Sequence, residues 1–389
     1  MRILHYLSEV TLVHGGVVRS VLDISKGLAS RGHAVTLACF DDTSVPPEWK
    51  AGAGGGLPRA ITLAWPGLPK PVRRFGPAEV RRLADEIAAC DVVHLHGPWE
   101  STNVQIAEIA RKVGRPYVVS THGMMDDWCM AQGAMKKRFY VAWRTRPMLE
   151  GAARVLFTAE GEKMQGLRWC PGAASRAEVL PLLFDFDDFR DLPGAALARE
   201  RFEPLRTDGP IVLFLSRLHP KKGVETLIDA CSILKREQFR FRLIIAGTGE
   251  ASYEEALKRR AIDSGLSDRT YFLGMVTGRE KVSLFEAADV SVLPTSQENW
   301  GFVILESLAA GTPVVTTKGV DIWPELQAGG GTLITEPGPH SVADGVRELL
   351  EHPERAASMG LAGREWVTNW LEPASVLERY EGMYGRCLR

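Results

Sequence analysis

Hydrophobic positions along this chain come in short, unbroken runs. RILHYL, AVTLACF, DVVHLH, YVVST and RVLFTA in the first half, and IVLFLS, FRLIIAG, TYFLGMV, VSVLPT, PVVTTK and GTLIT in the second, are apolar almost throughout. A strand with one wet face would alternate with period two, so continuous runs predict strands covered on both faces, as in a parallel sheet. Amphipathic stretches such as VVRSVLDISKGLASRG separate them. Strand and helix in repetition, twice over, predict an α/β chain of two Rossmann-like, doubly wound domains. The boundaries fall at 1–185 and 209–370, joined by a linker over 186–208, where Asp, Pro and Arg accumulate. Beyond it, residues 371–389 carry aromatic residues at helical spacing after a break at Pro373 and read as one more amphipathic helix.

Composition narrows the function classes. A length of 389 residues fits two or three domains, and 24% charged with 45% hydrophobic residues is ordinary for a globular protein. A net charge of -1 argues against a nucleic-acid binder. No apolar run approaches the roughly 20 residues that span a bilayer, and His5 and Glu9 inside the opening MRILHYLSEV mark a first strand instead of a signal peptide. The six cysteines are scattered without a C-x-x-C pair, against both a zinc site and a disulfide framework. The expected location is cytoplasmic.

Chemistry concentrates in PTSQENWGFVILESLAAGTPVV, where Glu298 and Glu306 stand eight residues apart around Gly301. A strand, a loop and a helix beginning near Gly301 would leave free backbone N–H groups above Asn299, Trp300 and Gly301, which suits an anion. Cations to share that anion appear in LFLSRLHPKKGVETL, where Arg217 and Lys222 flank a turn after a strand. Delivered at the carboxyl end of a parallel strand, they suit a diphosphate, or else they are solvated turn residues. His122 in YVVSTHG also stands at a strand end before a glycine. His94 and His96 form an H-x-H pair that shares one strand face, but no third Cys, His or Asp lies beside it in sequence, so no metal site is expected. Gly247-x-Gly249 is a fragment of a dinucleotide fingerprint whose third glycine is replaced by Ser252. In 135–148, Lys136, Lys137, Arg138, Arg144 and Arg146 are interleaved with Phe139, Tyr140 and Trp143. That stretch is either a solvated helix face or a contact with an anionic membrane.

Taken together these motifs resemble the retaining glycosyltransferases of family 4, which have the two-Rossmann GT-B fold with domains facing across a cleft. Glu298 and Glu306 match the family's E-x7-E segment, Arg217 and Lys222 its R-L-x-x-x-K-G turn, His122 its N-terminal-domain histidine, and Gly15-Gly16 its glycine turn after the first strand. The resemblance implies that Arg217, Lys222, Gly301, Gly15 and Gly16 hold the donor diphosphate. It places Glu306 on the ribose, with Gly247, Met275 and Val276 near the nucleotide base. Asn299, Trp300 and Phe302 would line the donor sugar, with His122 and Glu298 at the catalytic centre. It further implies that 371–389 packs back on the first domain.

The expected activity is retaining, metal-independent transfer of a sugar from a nucleotide sugar to a saccharide or lipid-linked saccharide, in glycan assembly at the inner membrane face. A nucleotide sugar is expected as donor substrate, and no cofactor, no metal and no nucleic acid are expected. Two alternatives stand beside it: an NAD(P)-dependent oxidoreductase, suggested by the Rossmann-like halves and the GTG turn, and a nucleotide-sugar epimerase of the same fold.

Overall fold

The computed structural model describes residues 1–12, 16–52, 55–67 and 72–389. It divides into two units, Met1–Leu183 with Pro373–Arg389, and Phe184–Glu372.

Among the described residues, the first unit holds seven strands: β1 (Arg2–Tyr6), β2 (Ala34–Cys39), β3 (Arg59–Thr62), β4 (Val92–His96), β5 (Tyr117–Ser120), β6 (Arg154–Phe157) and β7 (Ala177–Val179). They pair in parallel in the order β3-β2-β1-β4-β5-β6-β7. Strands β3 and β7 were not predicted. Each is three or four residues long at a sheet edge, too short to show an apolar run. Successive residues of the inner strands enter cores on opposite faces. Leu4, Tyr6, Val93 and Leu95 pack into one, while Ile3, Val92 and Val118 pack into another. The second core is closed by the terminal helix Pro373–Cys387 through Val376, Leu377, Tyr380, Met383 and Tyr384, and Tyr380 donates to the Pro181 carbonyl.

The second unit holds β8 (Ile211–Leu215), β9 (Arg242–Ala246), β10 (Thr270–Gly274), β11 (Val290–Leu293), β12 (Val314–Thr317) and β13 (Thr332–Thr335), all parallel, in the order β10-β9-β8-β11-β12-β13. Strands β8, β9, β11 and β12 are buried almost throughout, as their composition requires. The stretch 186–208, read from the sequence as a linker, is folded into this unit. It forms the helices Asp187–Arg190 and Ala195–Arg201, with Ala198 N bonded to Ser283 Oγ and Gly194 N to Glu286. Its charged residues face solvent while Phe189, Ala198 and Leu205 face the core, a spacing that composition alone conceals.

Candidate active site

Strand order locates the functional ends of both sheets. In an open parallel sheet, loops leave in opposite directions where the order reverses, opening a crevice at the carboxyl ends of the two strands concerned. In the second unit that point lies between β8 and β11. Arg217 and Lys222 follow β8, and Glu298–Gly301 follow β11, so the sequence motifs sit on both sides of the reversal.

Backbone contacts stitch these loops together. The Lys221 carbonyl accepts from Ser296 N at 2.8 Å and from Thr295 Oγ1 at 2.9 Å. Gly223 has φ +74°, and a Cβ there would lie 2.0 Å from the Pro294 carbonyl oxygen, so only glycine lets the loops meet. On its other side the 298 loop pairs with the segment after β12: Glu298 N donates to Gly319 O and Asp321 N to Glu298 O, both at 2.8 Å. Gly301, with φ +63° and ψ +51°, caps the helix Phe302–Ala309. Glu298 is therefore extended loop, and Glu306 lies within the helix.

Both glutamates are paired with lysine. Lys222 Nζ contacts Glu298 Oε2, and Lys281 Nζ lies 2.7 Å from Glu306 Oε1. Burial, then the like charges of Arg217 and Lys221, draws the Lys222 ammonium down to about 8. Arg217 is exposed at the rim. Sequence reasoning missed Lys281, which stands on an unremarkable amphipathic helix, Gly278–Ala287, and carries no motif.

Two expectations change here, those for Trp300 and Gly247. The Trp300 indole is 3% exposed and packs near Trp370 and Phe302, with centroids 5.4 and 6.5 Å away. Its ring is a core side chain. Phe302 is half-buried beside it, and the Asn299 side chain bonds Asp321 Oδ2 at 3.1 Å. Gly247 is required by packing: a Cβ there would sit 1.8 Å from the Ser216 carbonyl oxygen, so its identity carries no argument for a ligand. Met275 and Val276 follow the edge strand β10; Met275 is exposed and Val276 buried.

In the first unit the order reverses between β1 and β4. Gly15 and His14, which follow β1 in sequence, lie outside the described residues, and Gly16 opens the helix Gly16–Ser30. His122 follows β5 with φ +52°, followed by Gly123 at +73°. The buried Glu162 carboxylate holds that turn: Oε1 accepts from Thr121 Oγ1 at 2.5 Å and Gly123 N at 2.6 Å, while Oε2 accepts from Thr158 N and Oγ1 at 2.7 Å. Glu162 was not legible in the sequence, because its partners are 39 and 41 residues away or just ahead of its own helix.

The expectation that nothing completes the H-x-H pair is also corrected. Parallel pairing of β1 with β4 sets His5 opposite His94. Nitrogens of His5, His94 and His96 lie within 4.8 Å of one another, the size of a metal ligand set. However, His94 Nδ1 is engaged by Tyr384 Oη and Nε2 by Ser120 Oγ, both at 2.7 Å, while His5 and His96 bond each other at 3.0 Å. All of these nitrogens except His5 Nε2 are committed to hydrogen bonds, and burial lowers the pKa of all three rings, His5 to about 3.

In 134–150 the chain runs as helix Ala134–Tyr140, a π-helical turn Val141–Thr145 and helix Arg146–Glu150. Met135, Phe139 and Trp143 are 86%, 70% and 64% exposed. With Val104, Arg74 and Arg144 they line a cavity of about 580 Å³. Three of the five cations have partners within the protein: Lys137 donates to the Cys129 carbonyl, Arg138 lies over the Trp169 ring and Arg146 donates to the Trp169 carbonyl.

Residues 198–366 match the family described as "Glycosyl transferases group 1", and 15–182 match the "Glycosyl transferase 4-like domain". A GDP-mannose-dependent alpha-(1-6)-phosphatidylinositol monomannoside mannosyltransferase of Mycobacterium tuberculosis is 32% identical over 356 residues, covering 89% of this chain and 88% of its own. The chain belongs to the family 4 glycosyltransferases. A D-inositol 3-phosphate glycosyltransferase of Frankia alni is 29% identical, over 75% of this chain and 74% of its own. Among solved structures, Anabaena HepE in complex with UDP shares the GT-B fold at TM-score 0.78 and 19% identity, covering 99% of this chain and 100% of HepE. As a family 4 member the chain is a nucleotide-sugar-dependent glycosyltransferase. No described helix is long and apolar enough to cross a membrane.

Proposed function

We propose that this glycosyltransferase moves a hexosyl group, with retention and without a metal, from a nucleoside-diphospho-sugar to a hydroxyl of a lipid-linked or saccharide acceptor. The observation that carries the reading is the arrangement at the β8/β11 reversal: Arg217, Lys222 and the helix end at Gly301 gather positive potential, with Glu298 and Glu306 beside it. On this reading the cations take the diphosphate and stabilise the charge that develops as it leaves. Glu306 exchanges Lys281 for ribose hydroxyls. Glu298, released from Lys222, anchors the sugar, and His122 contacts it. The departing phosphate takes the acceptor's proton on the same face, which retains configuration.

GDP-mannose is the first donor to test, because the 32% identical relative is named for it. An amphiphilic acceptor is supported by the exposed Met135, Phe139 and Trp143 beside Lys136 and Arg144, which suits an anionic membrane surface at the site of glycan assembly. The oxidoreductase and epimerase alternatives have no comparable support.

A thermal-shift screen against GDP, UDP, ADP, their hexose conjugates and NAD(P), with and without EDTA, tests the donor. A shift by one nucleoside diphosphate that survives EDTA is expected. A shift that requires a divalent ion overturns the metal-independent reading, and a shift by NAD(P) alone overturns the donor assignment.

A further inference from the structure

Beneath His122 lies a row of buried histidines. They occupy the face that Ile3, Val92 and Val118 make apolar lower in the sheet, continuing β1 with His5 and β4 with His94 and His96. His5 Nδ1 meets His96 Nε2 at 3.0 Å, and His96 Nδ1 meets His122 Nε2 at 2.9 Å. His94 stands outside this line. Its nitrogens are held by Tyr384 and Ser120, and its ring stacks on His96 at 4.2 Å, fixing that ring's plane.

A neutral imidazole has one N–H and one lone pair, so two consecutive bonds through His96 must run in the same direction. Burial keeps all the rings neutral near pH 7, with His122 drawn down to about 4. Only two states remain. Either His5, His96 and His122 all carry the proton on Nδ1, or all carry it on Nε2. The ends decide between them, since His5 Nε2 and His122 Nδ1 are buried atoms with no partner among the described residues. His5 is 0% exposed, and an orphaned N–H is rarer in protein cores than an orphaned acceptor. Since His122 Nδ1 is buried as well, what separates the ends is reach: His5 is enclosed, whereas His122 is partly exposed at the carboxyl end of β5, where a ligand oxygen can meet an N–H, so the lone pair is assigned to His5 and the N–H to His122.

We propose that His96 and His5 are positioning residues that fix His122 as the Nδ1–H tautomer, a neutral hydrogen-bond donor to a substrate oxygen and not a proton acceptor. The consequence for catalysis rests on the proposed contact between His122 and the transferred sugar. The tautomer itself is a property of the free protein.

Long-range proton–nitrogen NMR correlation on the full-length, 15N-histidine-labelled protein at pH 7 reads all three rings. Nδ1–H on His5, His96 and His122 is expected; Nε2–H on His122 overturns the proposal. Activity supplies the second readout. In His96→Gln the amide can still accept from His5 and donate to His122, whereas the similarly shaped His96→Met can do neither. With melting temperatures matched, His96→Met should lose kcat by about tenfold, the worth of one hydrogen bond, and His96→Gln should recover most of it with donor KM unchanged in both. Equal losses in the two variants, or none in His96→Met, overturn it. Full turnover in His122→Ala would instead remove His122 from the substrate while leaving the NMR result standing.

Discussion

Replacing Lys222 by Ala probes the centre of the proposed diphosphate site. Its side chain is 13% exposed and in contact with the Glu298 carboxylate, itself 23% exposed. Two losses follow. A charge-assisted hydrogen bond to the diphosphate is worth about 1.5–3 kcal/mol, or roughly 10- to 150-fold in Kd. Removing the cation also leaves Glu298 facing the incoming anion. Two unit charges about 5 Å apart at an effective dielectric of about 20 repel by about 3 kcal/mol before salt screening. Titration calorimetry with GDP and UDP should show the weakening, steeper at low salt. Adding Glu298→Gln to Lys222→Ala removes the repulsion, so the double variant should bind the nucleotide at least several-fold more tightly than the single one. Binding by Lys222→Ala within twofold of the unaltered protein, or a double variant no tighter than the single, would refute the assignment.

The Lys222 ammonium, drawn from 10.5 to about 8, should bind diphosphate best well below pH 8 and lose affinity as pH rises through that value; Lys222→Arg, charged throughout, should flatten the profile. Stability runs the other way: between about 8 and 10.5 the unfolded chain holds more protons, so this group's contribution to folding rises with pH, measurable by denaturant melts. Gly223→Ala places a methyl group against the Pro294 carbonyl at positive φ and should cost about 2–5 kcal/mol, read as a lowered melting temperature. Glu162→Gln replaces two acceptor oxygens with one and turns an NH2 toward donors, so about 1–3 kcal/mol of stability should be lost, with turnover falling further if the His122 turn relaxes. Trp300→Phe should lower the melting temperature without changing donor-sugar preference, measured as kcat/KM across hexose donors.

What the sequence reveals is what repeats along it. Continuous apolar runs marked every long strand, because burial on both faces leaves no room for alternation, and strand ends then showed where Arg217, Lys222, His122 and Glu298 stand. Pairing across distance was not legible. Nothing beside Glu306 points to Lys281, and nothing beside His96 points to His5, since each pairing is made by the sheet or by a neighbouring helix. Aromatic residues misled for the same reason: Trp300 sits in a functional motif, yet Trp370, seventy positions on, claims its ring.

The ion pairs explain why this site would choose a nucleotide sugar over its parts. Lys222 with Glu298 and Lys281 with Glu306 are satisfied pairs, so a ligand enters by exchange instead of filling an idle charge. A small anion such as phosphate can satisfy a lysine but strands the partnered glutamate, and stranding a half-buried carboxylate costs about as much as the new contact returns. A neutral sugar does the reverse. Only a molecule that carries an anion flanked by hydroxyls on both sides can replace both pairs while leaving every charge partnered. A diphosphate between a ribose and a hexose has that order, and on the proposed reading Glu298 in its loop and Glu306 inside the helix are the partners of the two sugars.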